Sequence, residues 1–186
     1  DAHSLGVLGP NGNGTAAHFD VTKDVDLIMG TFSKSLGCVG GFIAGEAQVI
    51  EYIKHHSRSI IFTASLPPSN AASVRAALQV IKDEPERRER LWENTEFMRK
   101  GFQEMGYDTG ESTTPVIPVL IGKDQKTFAT WKALMEAGVY TNPVVAPATP
   151  PGRGLLRTSY MATHTREQLQ FCLDQFEKVG KKLKVI

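Results

Sequence analysis

Cysteine is scarce: Cys38 and Cys172 are the only two in 186 residues. Thiols this far apart fit neither a CxxC metal site nor a disulfide framework, so no metal is expected and a reducing, cytoplasmic compartment is. No apolar run approaches the length of a bilayer span, and the first residues lack the charged-then-apolar pattern of a secretion signal; stable membrane insertion is not expected. An excess of either charge is missing too. Lysine and arginine number 21 against 20 aspartates and glutamates, a net +1, which leaves no basic field to attract nucleic acid and no acidic tail. Internal repeats and low-complexity tracts are absent. So is an initiator methionine: the chain opens DAHSLG and reads as though cut in mid-motif.

Turn-forming residues, by contrast, are plentiful, with 17 glycines and 10 prolines. Residues 5–20, LGVLGPNGNGTAAHFD, read as a loop of successive turns. DLIMGT (26–31) reads as a short buried strand, and GFIAG (41–45) as the next one. A helix is expected over 46–56 with Val49, Ile50 and Ile53 on one face. Residues 59–68, SIIFTASLPP, read as a strand fragment ending at the Pro-Pro break. The following AASVRAALQVI is a strong helix former, capped by Ser69 or Asn70. Charges of both signs interleave in DEPERRERLWE (83–93), as on a solvated helix face. That helix should run over 84–105, with Pro85 in its first turn and Leu91, Phe97, Met98 and Phe102 towards a core. Strands are expected over 115–121, 140–145 and 155–161, and helices over 126–137 and 165–182. The last of these carries Leu169, Cys172, Phe176 and Val179 on one stripe and lysines at its C-terminal end. VVAPATPPGRG (144–154) is a loop of the kind that reaches over a site.

One stretch asks for a chemical explanation. GTFSKSLG (30–37) sets a long cationic side chain, Lys34, among small polar residues at the end of a strand. A lysine amine becomes a Schiff-base nucleophile when partial burial or nearby cations favour its neutral form. Hydroxyls of Thr31, Ser33 and Ser35, with the N–H groups of a turn, are suited to phosphate oxygens. Taken alone, TxSK is a weak signal, since most turn lysines are simply solvated. His3, after a small residue at a strand end, could serve as an acid, a base or a phenolate partner, or be an ordinary loop histidine.

The combination is more specific. DAHSLGVLGPNGNG with His3, DVDLIMGTFSKSLG with Lys34, GGFIAG, IIFTASLPPS, RRERLWEN and APATPPGRGLLRTSYMATHT occur in this order across the whole chain. Together they resemble the α-oxoamine synthases, fold-type I pyridoxal-phosphate enzymes that condense an amino acid with an acyl-CoA and release CO2. Within that family the resemblance is strongest to the bacterial serine palmitoyltransferases, with 8-amino-7-oxononanoate synthases and 2-amino-3-ketobutyrate CoA ligases as alternatives. TFSKS, FTASLPPS and APATPPG tilt towards the first group. A non-catalytic fragment or structural subunit is the alternative of another class, and the presence of Lys34 argues against an evolved pseudo-enzyme.

The resemblance implies roles for individual residues. Lys34 would carry pyridoxal 5'-phosphate and act as the base at the substrate Cα, and His3 would bond the cofactor's phenolic oxygen. Thr31 and Ser33 match phosphate ligands. Thr63 matches a threonine that reaches the cofactor phosphate of a neighbouring subunit, which implies a homodimer with shared active sites. Arg157 matches the arginine that receives the substrate carboxylate. Three positions depart from the pattern. The aspartate that pairs with the pyridine nitrogen would precede residue 1, and Asp1 occupies a different place in the motif. Val145 stands where the bacterial palmitoyltransferases carry an arginine, and Asn13 where an arginine is frequent.

By the same resemblance, the fold is α/β and the chain corresponds to the C-terminal half of such an enzyme. Residues 1–82 would be the C-terminal part of the cofactor-binding large domain. Residues 83–186 would be the small α+β C-terminal domain, with an antiparallel sheet.

Overall fold

The computed structural model describes residues 1–186, which fall into two units, Asp1–Arg88 and Glu89–Ile186. In the first unit, glycine sets the opening path. The turns of residues 1–14 lead through a 3-10 turn, Pro10–Gly12, into the short helix α1 (Thr15–His18). Gly12 has φ +74°, and a Cβ there would lie 2.9 Å from the Gly6 backbone, a close approach that only glycine allows. Gly6 N–H donates to Gly12 O at 2.7 Å and Gly14 N–H to Leu8 O at 2.9 Å. These donors are used within the loop, and the GPNGNG segment is a self-bonded turn rather than an anion cradle.

After a second 3-10 turn (Thr22–Asp24), β1 (Leu27–Thr31) pairs antiparallel with β2 (Gly41–Gly45), with Gly30 opposite Phe42. The sheet has two strands only. The expectation of a buried strand is corrected here: Leu27 is 42% and Met29 54% exposed. With one strand neighbour, β1 packs through Gly30 and leaves its other face in solvent.

Three helices follow: α2 (Ala47–His56), α3 (Arg58–Ile61) and α4 (Pro68–Asp83). The strand expected over 59–68 is instead one helical turn and an irregular segment. β-branched Ile60 and Ile61 suit a strand, but their N–H groups bond back to Ser57 O at 3.1 and 3.0 Å, closing a turn. The cap of α4 is Pro67, not Ser69 or Asn70. Pro68 takes the first helical position, where a missing N–H costs nothing. Phe32, Leu36 and Val74 form the unit's core, with Leu5, Phe42, Ala77 and Ile81 against them.

The long helix α5 (Glu86–Glu104) begins at the end of the first unit and runs into the second. Pro85 precedes it, accepting from Arg88 N–H at 3.0 Å. The second unit adds β3 (Val116–Gly122), α6 (Asp124–Glu136), β4 (Asn142–Val144), β5 (Gly154–Ser159) and α7 (Arg166–Lys182). Its sheet is antiparallel in the order β3-β5-β4. Alternation along β3 buries Ile117, Val119 and Ile121, and Leu156 of the central strand β5 joins them. Met98 and Phe102 of α5, Leu134 of α6, and Leu169, Leu173, Phe176 and Val179 of α7 complete the core. Phe102, Tyr107 and Phe176 meet edge to face at 4.8–5.9 Å, and Tyr107 hydroxyl donates to Phe176 O at 2.7 Å. Thr165 and Gln168 close a capping box at the start of α7.

Candidate active site

Lys34 sits in a loop between β1 and β2 whose shape follows from two buried anchors. Phe32 and Leu36 are 7% and 4% exposed. The backbone closes around them: Phe32 N–H donates to Gly40 O at 2.9 Å, Cys38 N–H to Phe32 O at 2.8 Å, and Gly37 N–H to Lys34 O at 3.0 Å. Gly37 takes φ +60° to finish the turn. With both flanks anchored inward, Ser33, Lys34 and Ser35 face outward and are exposed. Lys34 Nζ donates to Ser33 Oγ at 3.3 Å.

The segment carrying His3 lies against this loop. Thr31 hydroxyl donates to Ala2 O at 3.3 Å and Ser35 hydroxyl to Leu5 O at 2.5 Å. His3, exposed and lying between the two acceptors in sequence, is thereby brought to the side of the Lys34 loop. Asp1 acts locally. Its carboxylate accepts from Ser4 hydroxyl and from Thr15 N–H (2.8 Å), which ties the His3 turn to the start of α1. A carboxylate so engaged is a structural brace. Sequence reasoning assigns neither this role to Asp1 nor a backbone partner to Ser35. The signal for Ser35 was its place directly beside Lys34; for Asp1 it was the helix start at Thr15.

Thr63 lies in the irregular segment after α3. It is exposed, as are the apolar side chains just before it, Ile60 (48%), Ile61 (51%) and Phe62 (78%).

Arg157 belongs to the second unit. It is half-buried on the central strand β5, between Pro118 of β3 and Asn142 of β4. It lines a cleft of about 670 Å³ together with Tyr140, Tyr160, His164, Phe171 and Cys172. Three titratable side chains of the cleft are pushed towards their neutral forms by burial. Burial lowers the His164 pKa, raises the Cys172 thiol to about 12 and raises the Tyr160 phenol. His164 Nδ1 accepts from Met161 N–H at 3.2 Å, which leaves the proton of the neutral ring on Nε2. Asn94 of α5 donates to Met161 O and His164 O at 3.1 and 3.2 Å and fastens the loop after β5. Val145, half-buried, offers its carbonyl to Ala148 and Thr149 N–H groups at 2.9 and 3.3 Å, forming the turn that follows β4.

The donor set of the first unit suits a cofactor with a carbonyl and a phosphate. A lysine amine and two hydroxyls on its N-terminal side share one loop, and the segment carrying a histidine is bonded to that loop at Ala2 and Leu5.

Comparison with known proteins points the same way. The family description "Aminotransferase class I and II" matches residues 1–176. Among curated relatives, the serine palmitoyltransferase of Sphingobacterium spiritivorum is 48% identical over 185 residues, covering 100% of this chain and 46% of the relative. The 8-amino-7-oxononanoate synthase of Petrotoga mobilis is 40% identical over 183 residues, covering 98% of this chain and 47% of the relative. Among solved structures, a serine palmitoyltransferase with PLP as internal aldimine superposes with a TM-score of 0.94 at 38% identity, over 100% of this chain and 47% of that one. The chain therefore spans about half the length of the relatives it matches.

Proposed function

The chain belongs to the aminotransferase class I and II family, and from that premise we propose that it is the catalytic-lysine part of a pyridoxal-phosphate acyltransferase of the α-oxoamine synthase type. The reaction is the decarboxylative condensation of an amino acid, L-serine in the first instance, with a long-chain acyl-CoA, as in serine palmitoyltransferase. The product would feed sphingolipid synthesis. The observation that carries the reading is the Lys34 loop, whose buried anchors present the amine beside Ser33 Oγ at 3.3 Å, within a chain 48% identical throughout to a serine palmitoyltransferase.

When bound, the cofactor supplies an electron sink that stabilises a carbanion at the substrate Cα. The rest falls to this chain's residues. Lys34 Nζ would hold the cofactor at its carbonyl carbon and, once displaced by the substrate amine, accept the proton from Cα. Ser33 and Thr31 hydroxyls would donate to phosphate oxygens; the 3.3 Å bond from Thr31 to Ala2 O is long enough to yield to an anionic acceptor. His3 would donate to the phenolic oxygen and orient the substrate. Arg157 would receive the substrate carboxylate through its planar fork. Asp1, engaged with Ser4 and Thr15, would not serve the pyridine nitrogen.

In this reading residues 1–82 belong to the cofactor-binding domain and 83–186 to the smaller one, with the chain leaving helical geometry at Glu84, just inside the second. A homodimer with shared sites follows, in which Thr63 of one copy reaches the phosphate site of the other. Its exposed apolar neighbours Ile60, Ile61 and Phe62 supply a surface for that contact. Both cysteines are free, which suits a reducing, cytoplasmic setting.

A second reading, 8-amino-7-oxononanoate synthase, is supported by the Petrotoga mobilis relative, while Val145, in place of the arginine that the resemblance to bacterial palmitoyltransferases implies, weakens the first. One experiment separates the two and tests both. The full-length protein with pyridoxal phosphate is given serine, alanine or glycine in deuterium oxide, and exchange at Cα is followed by proton NMR. Palmitoyl-CoA and a dicarboxylic acyl-CoA are then compared by CoA release. Serine exchange and palmitoyl-CoA turnover are expected. Alanine with the dicarboxylic thioester selects the second reading, and no exchange with any amino acid contradicts both.

A further inference from the structure

The hydroxyl of Ser35 is used in a way that the lysine loop itself does not require. It donates to Leu5 O at 2.5 Å, while Thr31 hydroxyl, on the other side of Lys34, donates to Ala2 O at 3.3 Å. The donors bracket Lys34 and the acceptors bracket His3. Two stretches some thirty residues apart in sequence are thus stitched at two points, one on each side of the residues that matter.

The junction is also packed to fit. Gly6 has φ +79°, and a Cβ at that position would lie 3.2 Å from Ser35 Cβ and Oγ and 3.1 Å from Ile81 Cδ1. The backbone of the His3 turn therefore passes Ser35 closely enough that position 6 takes glycine, and only a residue with a donor at position 35 satisfies Leu5 O. Leu36, next to Ser35, is buried in the core with Leu5 against it. The hydroxyl bond and the core contact thus fix the same two segments from opposite sides.

We propose that Ser35 is a positioning residue that sets the placement of His3 relative to Lys34. It acts through the Leu5 carbonyl, without touching cofactor or substrate. The two stitches are not equivalent. In the proposed function the Thr31 hydroxyl turns to the phosphate when the cofactor binds, so the Ser35–Leu5 bond is the one that remains to hold the His3 turn. This inference rests on the proposed roles of His3 and Lys34, and its consequence is a division of labour. Thr31 and Ser33 govern how tightly the phosphate is held, and Ser35 governs how well a bound cofactor is used.

The test is a double-mutant cycle in the full-length protein with three readouts: the dissociation constant for pyridoxal phosphate, kcat, and the ring nitrogen shifts and pKa of His3 by NMR without cofactor. Ser35→Ala is expected to lower kcat about tenfold, the scale on which small misplacements act, with cofactor affinity changed less than about twofold, because no phosphate contact is lost. In a His3→Ala background the same change should have almost no effect on kcat, and Ser35→Thr should restore the wild-type value. Without cofactor, Ser35→Ala should move the His3 resonances and Ser35→Thr should return them.

Equal Ser35→Ala effects with and without His3 would overturn the inference. So would parallel losses in cofactor affinity and kcat, or His3 resonances unmoved by Ser35→Ala. If the wild-type protein binds no pyridoxal phosphate at all, the proposed function fails. The cofactor-free NMR comparison then still decides whether Ser35 holds the His3 turn.

Discussion

Lys34 owes its setting to its neighbours. A solvated lysine needs no buried Phe32 and Leu36 on either side, nor a left-handed Gly37 to turn the chain back. The hydroxyls beside it divide between a carbonyl partner, in Thr31 and Ser35, and the lysine amine, in Ser33. The sequence shows all three hydroxyls and suggests them as phosphate donors. It does not show which of them face backbone, because the acceptors Ala2 and Leu5 lie far along the chain and only the fold brings them near. In the second unit, His164 makes a separate prediction. Burial holds its ring below the ordinary value, so the unfolded chain takes up a proton there before the folded chain does. The stability tied to this group is complete above about pH 6.5 and is lost as pH falls through the lowered folded value. Both tryptophans, Trp92 and Trp131, lie in that unit and report its unfolding. In His164→Gln, urea midpoints followed by their fluorescence should show a shallower loss on acidification; an unchanged slope contradicts the assignment.

Elements that pack on one face were legible, and those stabilised by local turns were not. The apolar run PVIPVLI reads as a strand and becomes β3, and the stripe of Leu169, Cys172, Phe176 and Val179 reads as the core face of α7, where Cys172 is half-buried and Leu173 is the buried neighbour. The segment SIIF misleads because β-branched residues earn strand propensity from cross-strand packing, and no strand lies beside Ile60 and Ile61 to supply it. Likewise, a search for hydroxyl caps passes over Pro67 and Pro68, where the start of α4 is set by proline geometry. Thr165 is the opposite case: the last helix is expected to start at this residue, and there its hydroxyl caps the helix, completed by Gln168. Thr165→Ala should destabilise the second unit by about 1 kcal/mol, measured by urea unfolding. Thr165→Ser should retain most of the wild-type stability, and equal losses in both variants would mean that the box is not the cause.

For the whole molecule, the two units differ in how much apolar surface they hide. The second has a continuous core from Met98 to Val179. The first has a small core and leaves Met29, Tyr52 and the Ile60–Phe62 run exposed. In the proposed homodimer this run, beside the threonine proposed to reach the phosphate, would form part of the contact. If the proposed homodimer forms, Phe62→Glu in the full-length protein should shift sedimentation from dimer towards monomer and weaken pyridoxal-phosphate binding with it. A variant that stays dimeric with unaltered cofactor affinity contradicts a contact at this surface.

The central claim is that Lys34 is the residue that carries the cofactor. The most direct measurement is peptide mass mapping of the full-length protein after incubation with pyridoxal phosphate and reduction with borohydride, alongside the Lys34→Ala variant. One phosphopyridoxyl group is expected, on the peptide containing Lys34, and none in the variant. A label on another lysine, or labelling that survives Lys34→Ala, would contradict the claim.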